Sequence, residues 1–281
     1  MGDTTQLQPF LKWAGGKRQL LKDILLYRPL TFRTYYEPFV GGGAMLFALQ
    51  PERAVISDIN SELVNAYEVL QNAIDPLMKE ISRHPNTADH YYAVRNLDRD
   101  GHFDATDAVT RAARLIYLNK TCYNGLFRVN RQGQFNVPFG RYKQPRILNE
   151  AVLKSAHAYL NASSITILRC DFEQTVSTAA KDDFVYFDPP YHPVSKTSAF
   201  TSYSVNGFDW SAQRRLKNTV DELTRRGCKV MLSNSATADI RDLYKDYQCI
   251  TLQAARAINS NADRRGKVEE LLLLNYDPEK K

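Results

Sequence analysis

An acid, two prolines and a ring, Asp188-Pro189-Pro190-Tyr191, follow directly on the apolar run Phe184-Val185-Tyr186-Phe187. Such a run reads as a buried strand of a parallel sheet. Neither proline can extend it, so Asp188 and Tyr191 fall at the carboxyl end of a strand, where open α/β sheets bind their ligands. A carboxylate and an aromatic face on one rigid turn suit a planar base that bears an exocyclic amine. Asp188 and the C=O groups around Pro189 can accept both amine hydrogens while Tyr191 stacks on the ring. Proline adds acceptors and no competing donor. An ordinary strand-ending turn would have the same residues, so the decision rests on what else the chain carries.

Two further stretches could bring a ligand to that turn. Pro9-Phe10-Leu11-Lys12-Trp13-Ala14-Gly15-Gly16-Lys17 sets two glycines before an amphipathic helix marked by Leu20, Leu21, Ile24 and Leu25. They let the backbone approach a ligand closely, but they lack the spacing of a triphosphate loop, and a helix-entry turn is the plain alternative. Thr34 to Val40 reads as the first strand of the sheet, after which Gly41-Gly42-Gly43 opens a short helix through Ala44, Leu46, Phe47 and Leu49. A second strand, Ala54 to Ser57, ends at Asp58. An acid there can accept hydrogen bonds from two ribose hydroxyls, or it can cap the helix that begins at Ser61. The succession strand, glycines, helix, strand, acid is a sharper signal for a cofactor cradle than any one part.

The elements that must position these residues follow from periodicity. From Ser61 to about Tyr117, apolar stripes (Leu63, Val64, Tyr67, Leu70, Ile74; Tyr91, Val94, Leu97; Val109, Ala112, Leu115, Ile116) predict a run of helices. Asn119 to Lys143 breaks that pattern with bases, amides, aromatics and turn glycines. This composition suits nucleic-acid recognition, with a polar hairpin as the plain alternative. A helix over Ala151 to Leu160 leads to a third strand, Ile165 to Leu168, and then to the strand that carries Asp188. Ser195 to Trp210 reads as an active-site loop. Leu216, Val220 and Leu223 mark a helix, Lys229 to Ser233 a fifth strand, and Gln248 to Leu252 with Glu269 to Tyr276 two closing strands.

The 281 residues are 43% hydrophobic and 24% charged, which describes a globular protein of one or two domains. The net charge of +6 favours a polyanionic partner. Four scattered cysteines form no CxxC pair, which argues against a zinc site or a disulfide framework and fits a reducing compartment. With no early apolar segment and no long apolar run, a cytoplasmic protein without a membrane span is expected.

Phe10 to Lys17, Glu37-Pro38-Phe39-Val40-Gly41-Gly42-Gly43 and Asp188-Pro189-Pro190-Tyr191 stand in this order with Tyr123 to Arg128 and Phe135 to Tyr142 between them. In that arrangement the chain resembles the Dam-type, D12 class DNA adenine N6-methyltransferases over nearly its whole length. The resemblance implies an α/β fold: a Rossmann-like S-adenosylmethionine-dependent methyltransferase sheet, residues 1–60 and 145–281, with an inserted, mainly helical DNA target-recognition domain, residues 61–144. It implies cofactor contacts from Trp13, Gly15, Lys17, Glu37, Phe39, Gly41, Gly43, Asp58, Ile59, Asp171, Phe172 and Asp188, with Asp58 on the ribose. Asp188, Pro189, Pro190 and Tyr191 would be catalytic, without a metal. DNA contacts would come from Lys12, Tyr123, Asn124, Leu126, Arg128, Pro138, Arg141 and Tyr142, with Tyr123 as a wedge. The implied partner is double-stranded DNA, methylated in GATC, and the implied enzyme is a monomer in solution in the cytoplasm of a bacterial or phage-infected cell. Two other readings are a methyltransferase acting on RNA or a protein amide, and a DNA-binding regulator that has lost catalysis. The long polar insert disfavours the first, and the intact Asp188 and glycine turn disfavour the second.

Overall fold

A computed structural model describes residues 7–13, 15, 17–191, 208–255 and 267–278. Most of the loop expected over Ser195 to Trp210 lies outside the described residues. The strands are β1 (Tyr35–Glu37), β2 (Arg53–Ser57), β3 (Ser164–Leu168), β4 (Phe184–Phe187), β5 (Lys229–Ser235), β6 (Gln248–Ala255) and β7 (Lys267–Leu274). They form one seven-stranded sheet in the order β3-β2-β1-β4-β5-β7-β6. β1 is parallel to β2 and β4, and β4 to β5, whereas β7 is antiparallel to both β5 and β6. This is the expected Rossmann-like, mostly parallel α/β sheet. The strand order reverses between β1 and β4, and the carboxyl ends of those two strands are the switch point at which such sheets hold ligands. β1 stops at Glu37, earlier than its apolar run suggested, because Pro38 has no N–H to continue the ladder.

The chain divides into two compact units: Met1–Gly16 with Val40–Glu52 and Ser57–Cys170, and Lys17–Phe39 with Arg53–Ile56 and Asp171–Lys281. The insert expected over 61–144 falls within the first. Its helices, Ser61–Asn72, Ile74–Ser82, Ala88–Asn96 and Ala108–Thr121, follow the stripes read from the sequence. Leu63, Tyr67, Leu70, Tyr91, Ala112 and Ile116 are buried along them. The first of these helices is capped by Asn60, whose side-chain oxygen accepts from Glu62 N and Leu63 N. Asp58 is therefore not the cap. In the second unit Val185, Phe187, Leu216, Val220, Val230, Leu232, Leu271 and Leu273 form one core cluster. Each such side chain contributes about 1.5–3 kcal/mol by leaving water, and this fixes the strand ends on which the site is built.

Candidate active site

β4 is buried at all four positions, and Asp188 follows at its end. The Asp188 side chain is 19% exposed, and its Oδ1 lies 2.8 Å from Nζ of Lys17, itself only 4% exposed. The same ammonium is 3.8 Å from Glu270 Oε2 and 4.5 Å from the centroid of the Tyr191 ring. The Tyr191 hydroxyl donates to Glu270 Oε2 at 2.7 Å. Burial pushes the Asp188 carboxyl above the ordinary range, Lys17 pulls it back down, and Glu270 adds to the rise. Tyr186 and Tyr191 are pushed well above the usual phenol value, first by burial and then by the Asp188 charge, so both keep their hydroxyl protons. Lys17 was expected among the cofactor residues; in the structure it neutralises the acid at the strand end. Glu270 was not anticipated at all, since an acid just before Leu271 to Leu274 gives no signal of what it faces.

Glu37 ends β1 at 2% exposure and accepts from the Tyr35 hydroxyl at 2.9 Å. Phe39 stacks on Phe172 with centroids 5.6 Å apart. Phe172 is buried in the core, with the Arg215 guanidinium 5.0 Å above its ring. Asp171 accepts from Glu173 N at 3.0 Å and pairs with Arg215 at 2.9 Å, so it caps the short helix Phe172–Thr175.

In the first unit, Gly41 and Gly43 have φ of +48° and +72°. A Cβ on Gly41 would lie 2.8 Å from the Trp13 ring, and one on Gly43 would lie 2.6 Å from the Tyr67 hydroxyl. The close approach that these glycines permit is thus made by two side chains of the protein itself. Tyr67 also donates to the Gly41 carbonyl at 3.1 Å. Asp58 binds the turn from the other side, accepting from Gly41 N at 3.3 Å and from Asn60 N at 2.9 Å. Burial raises the Asp58 pKa, and these two N–H groups oppose the rise. Ile59 beside it is 61% exposed. Trp13 stacks on Phe127 at 4.9 Å and 21°, and Gly15 has φ +76°.

The polar stretch after helix Ala108–Thr121 is pinned by bridges between Cys122 and Phe139 and between Val129 and Phe135. Asn119, 1% exposed, clasps the N-terminal segment: Lys12 N donates to its Oδ1 at 2.9 Å, and its Nδ2 donates to Lys12 O at 2.8 Å and to Gly125 O at 3.1 Å. Lys12 is thereby held against Gly125, where an added Cβ would come within 2.5 Å of Lys12 Cδ, and its Nζ lies 5.9 Å from the Tyr142 ring centroid. Asn119 was missed, although a signal existed. It stands seven residues after Ala112 and three after Ile116 on an apolar stripe, and a polar residue on a buried face needs a partner.

Tyr123 is 53% exposed, and its N–H donates to the Pro138 carbonyl at 2.9 Å. Asn124 and Arg141 adopt φ of +57° and +52°. Arg128 donates from Nε to Asn136 Oδ1 at 2.7 Å and from Nη2 to Asn136 O at 3.2 Å. The Tyr142 carbonyl accepts from Asn86 Nδ2 at 2.8 Å. Leu126 packs against the cluster that holds Tyr91, Tyr117 and Phe135. Lys12, Leu126, Arg128 and Tyr142 are thus each tied to a fixed neighbour, whereas Tyr123 presents its ring to solvent.

No helix among the described residues is long and apolar enough to cross a membrane. A family model described as D12 class N6 adenine-specific DNA methyltransferase matches residues 13–258. The chain is 45% identical over 272 residues to the Type II methyltransferase M1.LlaDCHI of Lactococcus lactis subsp. cremoris, covering 96% of each. It is 42% identical to the Type II methyltransferase M.MjaIII of Methanocaldococcus jannaschii, over 96% of this chain and 100% of the relative. It is 34% identical to the DNA adenine methylase of Haemophilus influenzae, over 95% and 93% of the two chains. The matched span holds the glycine turn, the polar stretch and the turn at Asp188 together, and the relatives align almost end to end. With a family model matched over residues 13–258 and relatives aligned almost end to end, the chain belongs to the D12 class N6 adenine-specific DNA methyltransferases.

Proposed function

We propose that this adenine-specific DNA methyltransferase transfers the methyl group of S-adenosylmethionine to N6 of an adenine flipped out of duplex DNA, in the sequence GATC. The observation that carries the reading is the pairing of Asp188, at the end of a fully buried strand, with the buried Lys17 beside the Tyr191 ring. A flipped base could stack on Tyr191 and give its two amine hydrogens to Asp188 and to the Pro189 carbonyl. Positive charge grows on N6 as it is methylated. A carboxylate and a carbonyl in a site shielded from water therefore stabilise the transition state more than the ground state. Lys17 opposes the rise that burial imposes on the Asp188 pKa and so favours the ionised, accepting form.

The first unit suits the cofactor by its chemistry. Asp58 spends its oxygens on two backbone N–H groups and retains lone pairs for ribose hydroxyls. Ile59, apolar yet 61% exposed, and Trp13 offer walls for the adenosine. When bound, S-adenosylmethionine supplies a methyl group activated on a sulfonium, and no metal is needed. In this reading Gly15, Gly41 and Gly43 shape the cradle.

Base reading is assigned to residues 61–144, above all to the polar stretch, together with Lys12. Asn136 engages Nε and one Nη2 hydrogen of Arg128, which leaves the Nη1–Nη2 edge for a bidentate contact to guanine. The exposure of Tyr123 supports a role for its ring as a wedge between bases. The test compares tritiated methyl incorporation into a GATC duplex with incorporation into duplexes changed at one flanking base. The wild type should prefer GATC, and Arg128→Ala should narrow that preference by about 1–3 kcal/mol. A common fall on every duplex would make Arg128 a phosphate contact instead.

A further inference from the structure

In the second unit a chain of hydrogen bonds ends on the turn that carries Asp188. Ser235 N donates to Asn234 Oδ1 at 2.8 Å, Asn234 Nδ2 donates to Gln213 Oε1 at 3.0 Å, and Gln213 Nε2 donates to the Pro190 carbonyl at 3.2 Å. Gln213 is 1% exposed and Asn234 0%. Either amide taken alone could sit both ways round. The backbone N–H of Ser235, however, can only donate. Asn234 must turn its oxygen to that N–H and its NH2 to Gln213, and Gln213 must then turn its own NH2 to Pro190. Three elements meet in this relay: the end of β5, the first turn of helix Trp210–Arg225, and the turn after β4.

We propose that Gln213 and Asn234 are positioning residues that set the peptide plane after Pro190, so that the carbonyl of Pro189, and not that of Pro190, is the second acceptor for the target amine. The assignment rests on the reading of Asp188 and Pro189 as acceptors given above. Its physical ground is the stiffness of two consecutive prolines. Their rings fix φ at both positions, and neither has an N–H with which to orient a carbonyl, so ψ is the torsion left to be set. At Pro190 the Gln213 amide sets it. This bond withdraws the Pro190 carbonyl from the substrate and fixes where the chain leaves toward Tyr191, whose hydroxyl is tied separately to Glu270. Neither amide touches the reacting atoms, yet a small misplacement of the acceptors would be felt directly in the rate.

The relay has a polarity, and the test uses it. Gln213→Glu keeps the acceptor that Asn234 needs and removes the donor that Pro190 needs. When ionised, it sets a carboxylate oxygen against the carbonyl; when protonated, it can donate again, and burial raises the pH at which this happens. The full-length variant should lose kcat on the order of tenfold or more at about pH 8.5, with S-adenosylmethionine and duplex affinities unchanged. Relative to the wild type it should recover as the pH falls toward about 6. Asn234→Asp turns the Gln213 amide round and should show the same recovery, so it carries the test if the first variant does not fold. Gln213→Leu has no proton to regain and should stay slow at every pH. The relay is refuted if the variants melt like the wild type and match its kcat throughout, or if rate and duplex binding fall together with no dependence on pH. Full rate in these variants beside an inactive Asp188→Ala would end the relay alone, whereas full rate in Asp188→Ala would end the acceptor reading beneath it.

Discussion

Asp188 is pushed toward the neutral form by burial and by Glu270, and Lys17 is the group that opposes both. In the proposed chemistry the ionised form accepts the amine, so protonation removes activity. A raised carboxyl pKa moves that loss to a higher pH than an ordinary aspartate would show. Lys17→Met removes the opposing charge and leaves the other two influences in place. The acid limb of the kcat profile should therefore move upward, with the deepest loss at the acid end of a scan from about pH 5.5 to 9. A variant with the wild-type acid limb would show that Lys17 does not govern Asp188. Asp188 was legible in the sequence because a strand, two prolines and a ring are local features. The role of Lys17 was not, because Gly-Gly-Lys reads as a loop near a ligand and its partners, Asp188 and Glu270, lie far along the chain. Asp171 and Phe172 show the same limit from the other side: the segment was found, but the pairing with Arg215 that occupies Asp171 is set only by packing.

The glycine turn shows what local pattern can and cannot convey about an element. Three glycines after a strand signal close approach, and the approach is real, but what comes close is Trp13 at Gly41 and Tyr67 at Gly43. Gly43→Ala would force φ +72° on a residue with a Cβ and press that Cβ to 2.6 Å from the Tyr67 hydroxyl. It should cost about 1–3 kcal/mol, read as a lower urea midpoint at unchanged slope. Gly101→Ala meets nothing within 4 Å and serves as the control, expected within about 0.5 kcal/mol of the wild type. Equal stability of the two variants would remove the steric account of the turn. The strands lie where their apolar runs stand, although β1 ends before Pro38 and the bounds of β6 and β7 differ from the reading. The helix cap was left open between a ribose ligand and Asp58 as N-cap, and Asn60 fills it. A capping side chain and an acid two residues before it look alike until the direction of the backbone N–H groups is known.

For the whole molecule, sequence periodicity gave the succession of elements, from which the mostly parallel sheet followed. Contacts distant in sequence are not visible to it: the unit that contains the helices between 61 and 144 also contains the glycine turn, and Gln71, for example, donates to the carbonyls of Leu160 and Ile165. The net charge of +6 supplies attraction to any duplex, and such attraction is independent of sequence and weakened by salt. It cannot say which atom of the DNA is changed; the turn at Asp188 is what the account makes responsible for that. The direct test is to incubate wild type and Asp188→Ala with S-adenosylmethionine and a GATC duplex, digest the DNA to nucleosides, and quantify N6-methyldeoxyadenosine by mass spectrometry, with circular dichroism to confirm that both proteins are folded. The account predicts the methylated nucleoside with the wild type and a loss of at least about a hundredfold with the variant. A folded Asp188→Ala that retains about a tenth of the wild-type yield, or a wild type that methylates another atom, would contradict it.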